Sequence, residues 1–352
     1  MPSRRASGAS VFKDFLGNER VVAALENMAA QDRIPQTLLF AGPRGVGKAT
    51  LARRFAAHLL GGAGKIENDD LSLPHNVAQI EEREKWPSDK RAEDPLFLST
   101  HPDFVTLPPE GPLRQISIQQ MRLLKERAPF KPMHGLRRVF LIDQIDRAGE
   151  QAANSLLKTL EEPPDHLILI LTAENIYDLL PTIRSRSVPL HFSRLSDPEM
   201  QAFLSARKVT GTERRVALAA GSPGVAVTLD LEQYDRRREA MLALLDASAG
   251  VTPFASWLPF SDSVALSRSI KLEDYLEVLY VLLADLLAIH QSSGAVRNND
   301  VRKRLERLAG SVTFDWIRTA VGKADELMRL LRRNIQKSIA LDALVIGLRE
   351  AA

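Results

Sequence analysis

The chain has 352 residues, 45% of them hydrophobic, with 47 basic and 44 acidic residues for a net charge of +3. That length accommodates two or three domains with well-buried cores, and so even a charge balance neither demands nor excludes nucleic acid as a partner. The absence of cysteine excludes disulfides and cysteine-based zinc sites and fits a reducing, cytoplasmic setting.

Met1 to Ser10 are small and basic with no apolar core, which predicts a disordered tail rather than a secretory signal. Residues 12–17 lead into a helix over 18–30, with Asn18 as its N-cap. Residues 37–41 form an apolar run that predicts a buried strand, and 51–60 predict a helix. Between them lie Gly42, Pro43, Arg44, Gly45, Val46, Gly47, Lys48, Ala49 and Thr50. Strand, glycine-rich turn and helix together are the context of a phosphate-binding P-loop. The glycines let consecutive backbone N–H groups face one anion, and the helix N-terminus adds its dipole. Lys48 brings a full positive charge to the terminal phosphates. The residue after the lysine should carry a hydroxyl for Mg²⁺. Here it is Ala49, and the hydroxyl comes one place later, at Thr50.

Residues 61–99 are polar and charged, and read as an insertion with the composition of a mobile segment. A strand follows over 103–107. Ser117 and Gln120 have capping-box spacing, which starts a helix reaching about 128. Residues 139–143 predict a buried strand ending in Asp143 and lying beside the P-loop strand. The helix over 148–161 puts Ala152, Ala153, Leu156, Leu157 and Leu160 on one side, and Pro163-Pro164 stops it. Further strands are predicted at 167–172 and 188–192. This alternation implies an α/β fold with a mainly parallel sheet covered on both faces. No strand follows residue 196. Short helices at 197–206, 212–220 and 223–230 suit a small lid. From about 231 the helices lengthen. The one over 272–289 is apolar around most of its circumference, so it is buried in a bundle or in an interface. Helices over 314–333 and 334–348 complete the bundle. The longest apolar run in this half, 278–284, is too short to cross a bilayer. The expected domains are 1–193, carrying the 61–99 insertion, then a lid over 194–236 and a helical domain over 237–352.

A carboxylate at the position of Asp143 supports Mg²⁺ in P-loop enzymes. The next position usually holds a Glu that polarises the attacking water. Gln144 stands there instead, and an amide hydrogen-bonds water without taking its proton. Thr172 closes a buried strand where a hydroxyl can sense a γ-phosphate, though threonine suits any strand end. Pro181 fits the first turn of a helix that carries Arg184 and Arg186. On composition alone these arginines, like Arg236-Arg237-Arg238 and Arg332-Arg333, are solvated charges, with DNA or partner contact as the alternative.

The segments 12–19, 42–48, 139–143, 154–164 (Asn-Ser-Leu-Leu-Lys-Thr-Leu-Glu-Glu-Pro-Pro) and 183–187 (Ile-Arg-Ser-Arg-Ser) together resemble bacterial DNA polymerase III clamp-loader subunits. The resemblance covers about residues 12–230. It implies an AAA+ (RecA-like) module, a helical lid and an all-α collar that joins a hetero-pentameric ring. The ring uses ATP to place a sliding clamp on primed DNA during replication, in the cytoplasm and away from membranes. By the resemblance, 42–50 is the Walker A loop and Asp143 the Walker B carboxylate. Ser185-Arg186-Ser187 matches a Ser-Arg-Cys motif, with Arg186 the finger that enters a neighbour's ATP site. Four departures stand out. Ala49 lacks the Mg²⁺ hydroxyl and Gln144 replaces the catalytic Glu. Gly224 takes the place of a phosphate-sensing Arg, and the 61–99 insertion lacks the zinc-binding cysteines many relatives carry. The pattern resembles the delta-prime type, a part of the DNA-directed DNA polymerase holoenzyme whose own ATPase is lost. ATP would be held weakly, if at all, with Mg²⁺ only alongside it and no zinc. A gamma/tau-type motor subunit, or another AAA+ ATPase such as a branch-migration helicase, are the alternatives.

Overall fold

The computed structural model describes residues 12, 15–266, 271–292, 294, 296–330 and 336–350. Met1 to Ser10 and Arg332-Arg333 lie outside them. The chain divides into two compact units, 1–209 with 220–225, and 210–219 with 226–352.

The first unit runs α1 (Glu19–Ala30), β1 (Thr37–Ala41), α2 (Lys48–Leu60), α3 (Ala63–Glu67), α4 (Pro74–Glu84), α5 (Ser88–Glu93), β2 (Phe104–Leu107), α6 (Ile118–Arg127), β3 (Arg138–Ile142), α7 (Glu150–Glu161), β4 (Leu167–Ala173), α8 (Pro181–Arg184), β5 (Val188–His191) and α9 (Asp197–Ala206). The five strands form one parallel sheet in the order β2-β3-β4-β1-β5. Alternate strand residues point to opposite faces, and this sorts the core in two. Leu38, Phe40, Val139, Leu141, Ile168 and Ile170 pack with Leu25, Leu51 and Phe55 of α1 and α2. Leu39, Phe140, Ile142, Leu169 and Leu171 pack with Met121, Leu124, Leu156 and Leu160 of α6 and α7. The α/β fold with a parallel sheet is the one the sequence predicts.

The strand order corrects one expectation. β3, which delivers Asp143, does not lie beside the P-loop strand. β4 intervenes, pairing Leu169 with Thr37 on one side and Phe140 on the other. Strand neighbours are chosen by the crossover connections rather than by local pattern. Asp143 still reaches the same edge of the sheet, because all the strands run in parallel.

Asn18 is a second correction. It precedes α1 at φ 53°, with no side-chain cap. Its Oδ1 instead accepts from Ser193 N at 2.7 Å and its Nδ2 donates to Ser193 O at 3.2 Å. Ser117 does cap α6 as expected: its Oγ accepts from Gln120 N at 3.2 Å, and Gln120 Oε1 accepts from Ser117 N at 2.8 Å.

The 61–99 segment is ordered, against its composition. It folds into α3, α4 and α5 around a small nucleus of Ile80, Leu96 and Leu98. Buried charges supply the rest. Arg53, on α2, pairs with Glu67 at 3.3 Å and with Asp70. Arg83 pairs with Asp94 at 3.0 Å and Glu110 at 3.4 Å. Asp69 accepts from Thr100 N and Oγ1 at 3.1 and 2.6 Å, and burial pushes its carboxyl up.

Among its described residues the second unit has helices and no strand: α10 (Thr212–Ala219), α11 (Pro223–Thr228, whose first three residues belong to the first unit), α12 (Leu231–Ser248), α13 (Leu258–Leu266), α14 (Leu272–His290), α15 (Arg302–Ala309), α16 (Phe314–Leu330) and α17 (Lys337–Arg349). Of the two settings open to α14, the bundle itself supplies the burial. Leu276, Leu279, Leu282, Leu283 and Leu286 lie in one core with Trp257, Trp316 and Leu341. Arg238 is not a solvated charge. It is buried, with a bidentate grip on Asp300 at 2.7 Å through both nitrogens and a bond to Asn298 Oδ1 at 3.1 Å. Asp285 in turn accepts from the backbone N–H groups of Arg297 and Asn298. Tyr234 donates to Asn298 Oδ1 at 3.0 Å, and burial pushes its phenol up to about 12. Arg236 does lie on an exposed face, paired with Glu232. Among the described residues no helix is long and apolar enough to cross a membrane.

Candidate functional site

β1 ends at Ala41, and the chain turns through Gly42, Gly45 and Gly47 at φ 152°, 76° and 96° before α2 begins at Lys48. These are conformations that side chains with a Cβ rarely adopt. A Cβ on Gly42 would also collide with the Phe192 carbonyl oxygen. Val46 is buried under the loop, Arg44 is exposed, and Ala49 and Thr50 occupy the first turn of α2. The turn thus aims backbone N–H groups and a thirteen-residue helix at one spot, which suits an anion.

Lys48 is buried, and its ammonium donates to the Gly42 and Pro43 carbonyls at 2.6 and 2.8 Å. Burial holds its pKa below the usual lysine value, against the opposing pull of Glu174, Asp143 and Asp146. Asp143 is buried at the end of β3. Its Oδ1 accepts from Thr172 Oγ1 at 2.5 Å, and Thr172 Oγ1 accepts from Gln144 N at 2.8 Å. The Gln144 side-chain amide reaches Asp143 Oδ2 at 3.5 Å. Gln144 itself sits at φ 58°, ψ 55°, a left-handed conformation that costs a non-glycine residue about 1–3 kcal/mol. Thr172, fully buried at the strand pairing Phe40↔Thr172, therefore spends its hydroxyl on Asp143 and Gln144.

Gly224 N donates to Gly45 O at 2.8 Å. A Cβ at Gly224 would lie 3.0 Å from that oxygen and 3.2 Å from Gly45 Cα. The segment carrying Gly224 thus rests on the P-loop with no room for a side chain between them. Phe15 covers the loop at Gly47, where an added Cβ would meet its ring.

Arg186 lies elsewhere. It follows α8, which opens on Pro181 at its first turn, and precedes β5. Since β5 runs parallel to β1 with Leu38↔Val188 in register, Arg186 is at the sheet edge opposite the P-loop. Its guanidinium pairs with Glu161 at 2.8 Å and bonds Thr182 O at 3.2 Å. Arg184 instead lies over the Tyr177 ring, 5.5 Å from its centroid.

The fold therefore gathers the P-loop, Asp143 and Thr172 at one edge and keeps Arg186 apart. Local pattern did not flag Glu174, Asp146, Phe15 or Phe192. Asp146 accepts from Glu174 N at 3.2 Å, and burial pushes its carboxyl up. Asp146 is half-buried on the 3₁₀ turn three residues after Asp143, a placement visible only in three dimensions. The residues fit a nucleotide's phosphates. They fit its Mg²⁺ poorly, because Ala49 offers no oxygen and Asp143 is engaged by Thr172.

A sequence profile of the family described as DNA polymerase III, delta subunit, matches residues 17–196. The chain is 31% identical over 184 residues to DNA polymerase III subunit tau of Escherichia coli, covering 52% of this chain and 26% of that protein. It is 29% identical over 194 residues to subunit tau/gamma of Haemophilus influenzae, covering 55% and 25%. It is 30% identical over 194 residues to subunit gamma of Buchnera aphidicola subsp. Schizaphis graminum, covering 55% and 48%. The chain thus spans a quarter to a half of the length of these relatives. Among solved structures, the gamma subunit-related protein of Thermotoga maritima aligns over 93% of this chain and 98% of its own, at 18% identity and a TM-score of 0.46. The profile runs through the P-loop, Asp143 and Arg186 and takes in just over half of the residues, so the chain belongs to the DNA polymerase III clamp-loader family of AAA+ P-loop proteins.

Proposed function

We propose that the chain is a delta-prime-type subunit of the clamp loader. In this role it joins a hetero-pentameric ring in the cytoplasm and helps the ring load the sliding clamp onto primed DNA. It hydrolyses no ATP itself and contributes Arg186 to a neighbour's site. The observation that carries this reading is the state of the phosphate-binding edge. No hydroxyl stands at Ala49, and an amide rather than a carboxylate stands at Gln144. The Lys48 ammonium is held by its own loop, and Gly224 leaves no phosphate-sensing side chain. Removing one preorganised electrostatic group costs roughly two to three orders of magnitude in rate, and several are missing here. The P-loop would retain ATP weakly, and the chemistry a bound nucleotide supplies would not proceed from this chain's own residues.

A gamma/tau-type motor subunit is the second reading, and the names of the curated relatives favour it equally. Steady-state ATP turnover by the isolated chain separates the two. We expect none above background and weak or absent nucleotide binding by titration calorimetry. Turnover comparable to that of a purified motor subunit would replace the first reading with the second.

A further inference from the structure

The stretch 154–164 is one of those that carry the family resemblance, yet the phosphate-binding edge is built without it. Its helical part ends beside Arg186 instead. Glu161 closes α7, and its carboxylate accepts from Arg186 Nη2 at 2.8 Å. Folding alone gives little reason for a carboxylate there. The C-terminal end of a helix carries the negative pole of its dipole, which disfavours a further negative charge. Both side chains of the pair are part-exposed, and an ion pair so open to water adds little stability.

What the pair does is fix an orientation. The backbones on both sides of it are held. Leu160, one residue before Glu161, and Ile183, in α8, are buried in the same core. Gln36 Nε2 donates to the carbonyls of Pro163 and Pro164 at 3.3 and 3.2 Å, which ties down the chain just after α7. The hydroxyls of Ser185 and Ser187 donate to Thr182 O at 3.2 Å and Ile183 O at 2.7 Å, so both neighbours of Arg186 are clamped to α8. The guanidinium is then held at two of its nitrogens. Glu161 accepts from Nη2, while Thr182 O at 3.2 Å and Ser185 Oγ at 3.3 Å accept from Nη1. Nε–H makes no hydrogen bond among the described residues, so the held group still has a donor to give. A long side chain that is free in solution loses rotamer freedom when it docks, and one already ordered does not. We propose that Glu161 is a positioning residue for Arg186: it keeps the guanidinium ordered at the sheet edge, ready for the phosphates of a neighbouring subunit's nucleotide. This role rests on Arg186 being the finger of the clamp-loader reading.

The test is the DNA- and clamp-stimulated ATPase of reconstituted rings in which this chain carries Glu161→Ala, Arg186→Ala, both together, or Glu162→Ala at the neighbouring exposed carboxylate. Ordering one long side chain is worth about two- to tenfold, so Glu161→Ala should remove about half to nine-tenths of the turnover that Arg186→Ala removes. Melting of the chain and mass of the ring should stay as in wild type. On top of Arg186→Ala, Glu161→Ala should change nothing further, because it acts only through Arg186. Glu162→Ala should match wild type. If Arg186→Ala rings turn over like wild type, the finger reading fails and the role of Glu161 with it. Where Arg186→Ala is defective, four results would overturn the role of Glu161 alone. Glu161→Ala rings could be as active as wild type or more so. The Glu161→Ala loss could be the same with and without Arg186. Glu162→Ala could cost as much as Glu161→Ala. Finally, the Glu161→Ala chain could fail to join the ring.

Discussion

Replacing Arg83 with Met is expected to cost the first unit about 3–5 kcal/mol of folding free energy, because it strands a buried carboxylate. Both members of the Arg83–Glu110 pair are buried, with side-chain exposures of 6% and 3%. Glu110 keeps two other donors, Leu96 N at 3.3 Å and Ser117 Oγ at 3.1 Å, and both are neutral. Arg83 also donates to the Asp94 carbonyl and lies over the Trp86 ring, 4.5 Å from its centroid. Met preserves the length of the stem against Trp86, so the lost term is the charge and its hydrogen bonds rather than volume. Because Ser117 caps α6, the damage should spread from α4 to the start of α6. Urea unfolding followed by tryptophan fluorescence measures the loss. Adding Glu110→Gln removes the stranded charge, and the double variant should lose less than the two single losses summed. A single-variant loss under about 1 kcal/mol would reduce the pair to an ordinary surface contact.

The same pair shows where the sequence stopped being informative. Residues 61–99 read as an insertion because few of them are apolar, and composition reports only the hydrophobic part of a core. What orders the segment is matching charge over long separations. Arg53 meets Asp70, and Arg83 meets Glu110. Neither match leaves a periodic trace. The family resemblance implied a zinc module at this place in many relatives, and in this chain ion pairs make the cross-links. Arg238 was misread for the same reason, since its partner Asp300 lies 62 residues away. Asn18 has cap chemistry but spends it on Ser193, 175 residues on.

By contrast, several features governed by local physics are legible in the sequence. The apolar runs became β1, β3 and β4, the Ser117 box became the start of α6, and the glycine spacing became a turn with three positive-φ positions. Departures within the phosphate site were readable as residue types, but not as geometry. Gly224 is visible in the sequence as a missing side chain. Only the fold reveals that the missing Cβ lets its N–H reach the Gly45 carbonyl. Likewise Asp143 and Thr172 stand on separate strands in the sequence, and only the pairing of β3 with β4 places their oxygens 2.5 Å apart.

Replacing Arg186 with Ala is expected to lower the DNA- and clamp-stimulated ATPase of a reconstituted ring while leaving folding and assembly intact. A guanidinium is permanently charged and grips phosphate oxygens through two N–H groups. Such a finger contributes on the order of a thousandfold or more to nucleotide hydrolysis. In the isolated chain Arg186 is parked on Glu161, a pair whose side chains are 35% and 49% exposed. A pair that open to water is worth at most about 1 kcal/mol, so exchanging Glu161 for a neighbour's phosphate costs little. Its loss from the chain should be equally mild, which keeps the variant folded and able to assemble. The opposite sheet edges of Arg186 and the P-loop mean that Arg186 cannot serve this chain's own phosphate site, so any catalytic effect must be felt in another subunit. Only the adjacent site loses its finger, so the ring's turnover should fall by that site's share and not to zero. Arg184 is the internal control, two residues away and engaged with the Tyr177 ring, and Arg184→Ala should leave turnover unchanged. Rings carrying Arg186→Ala that match wild type, or a defect confined to Arg184→Ala, would remove the finger from Arg186.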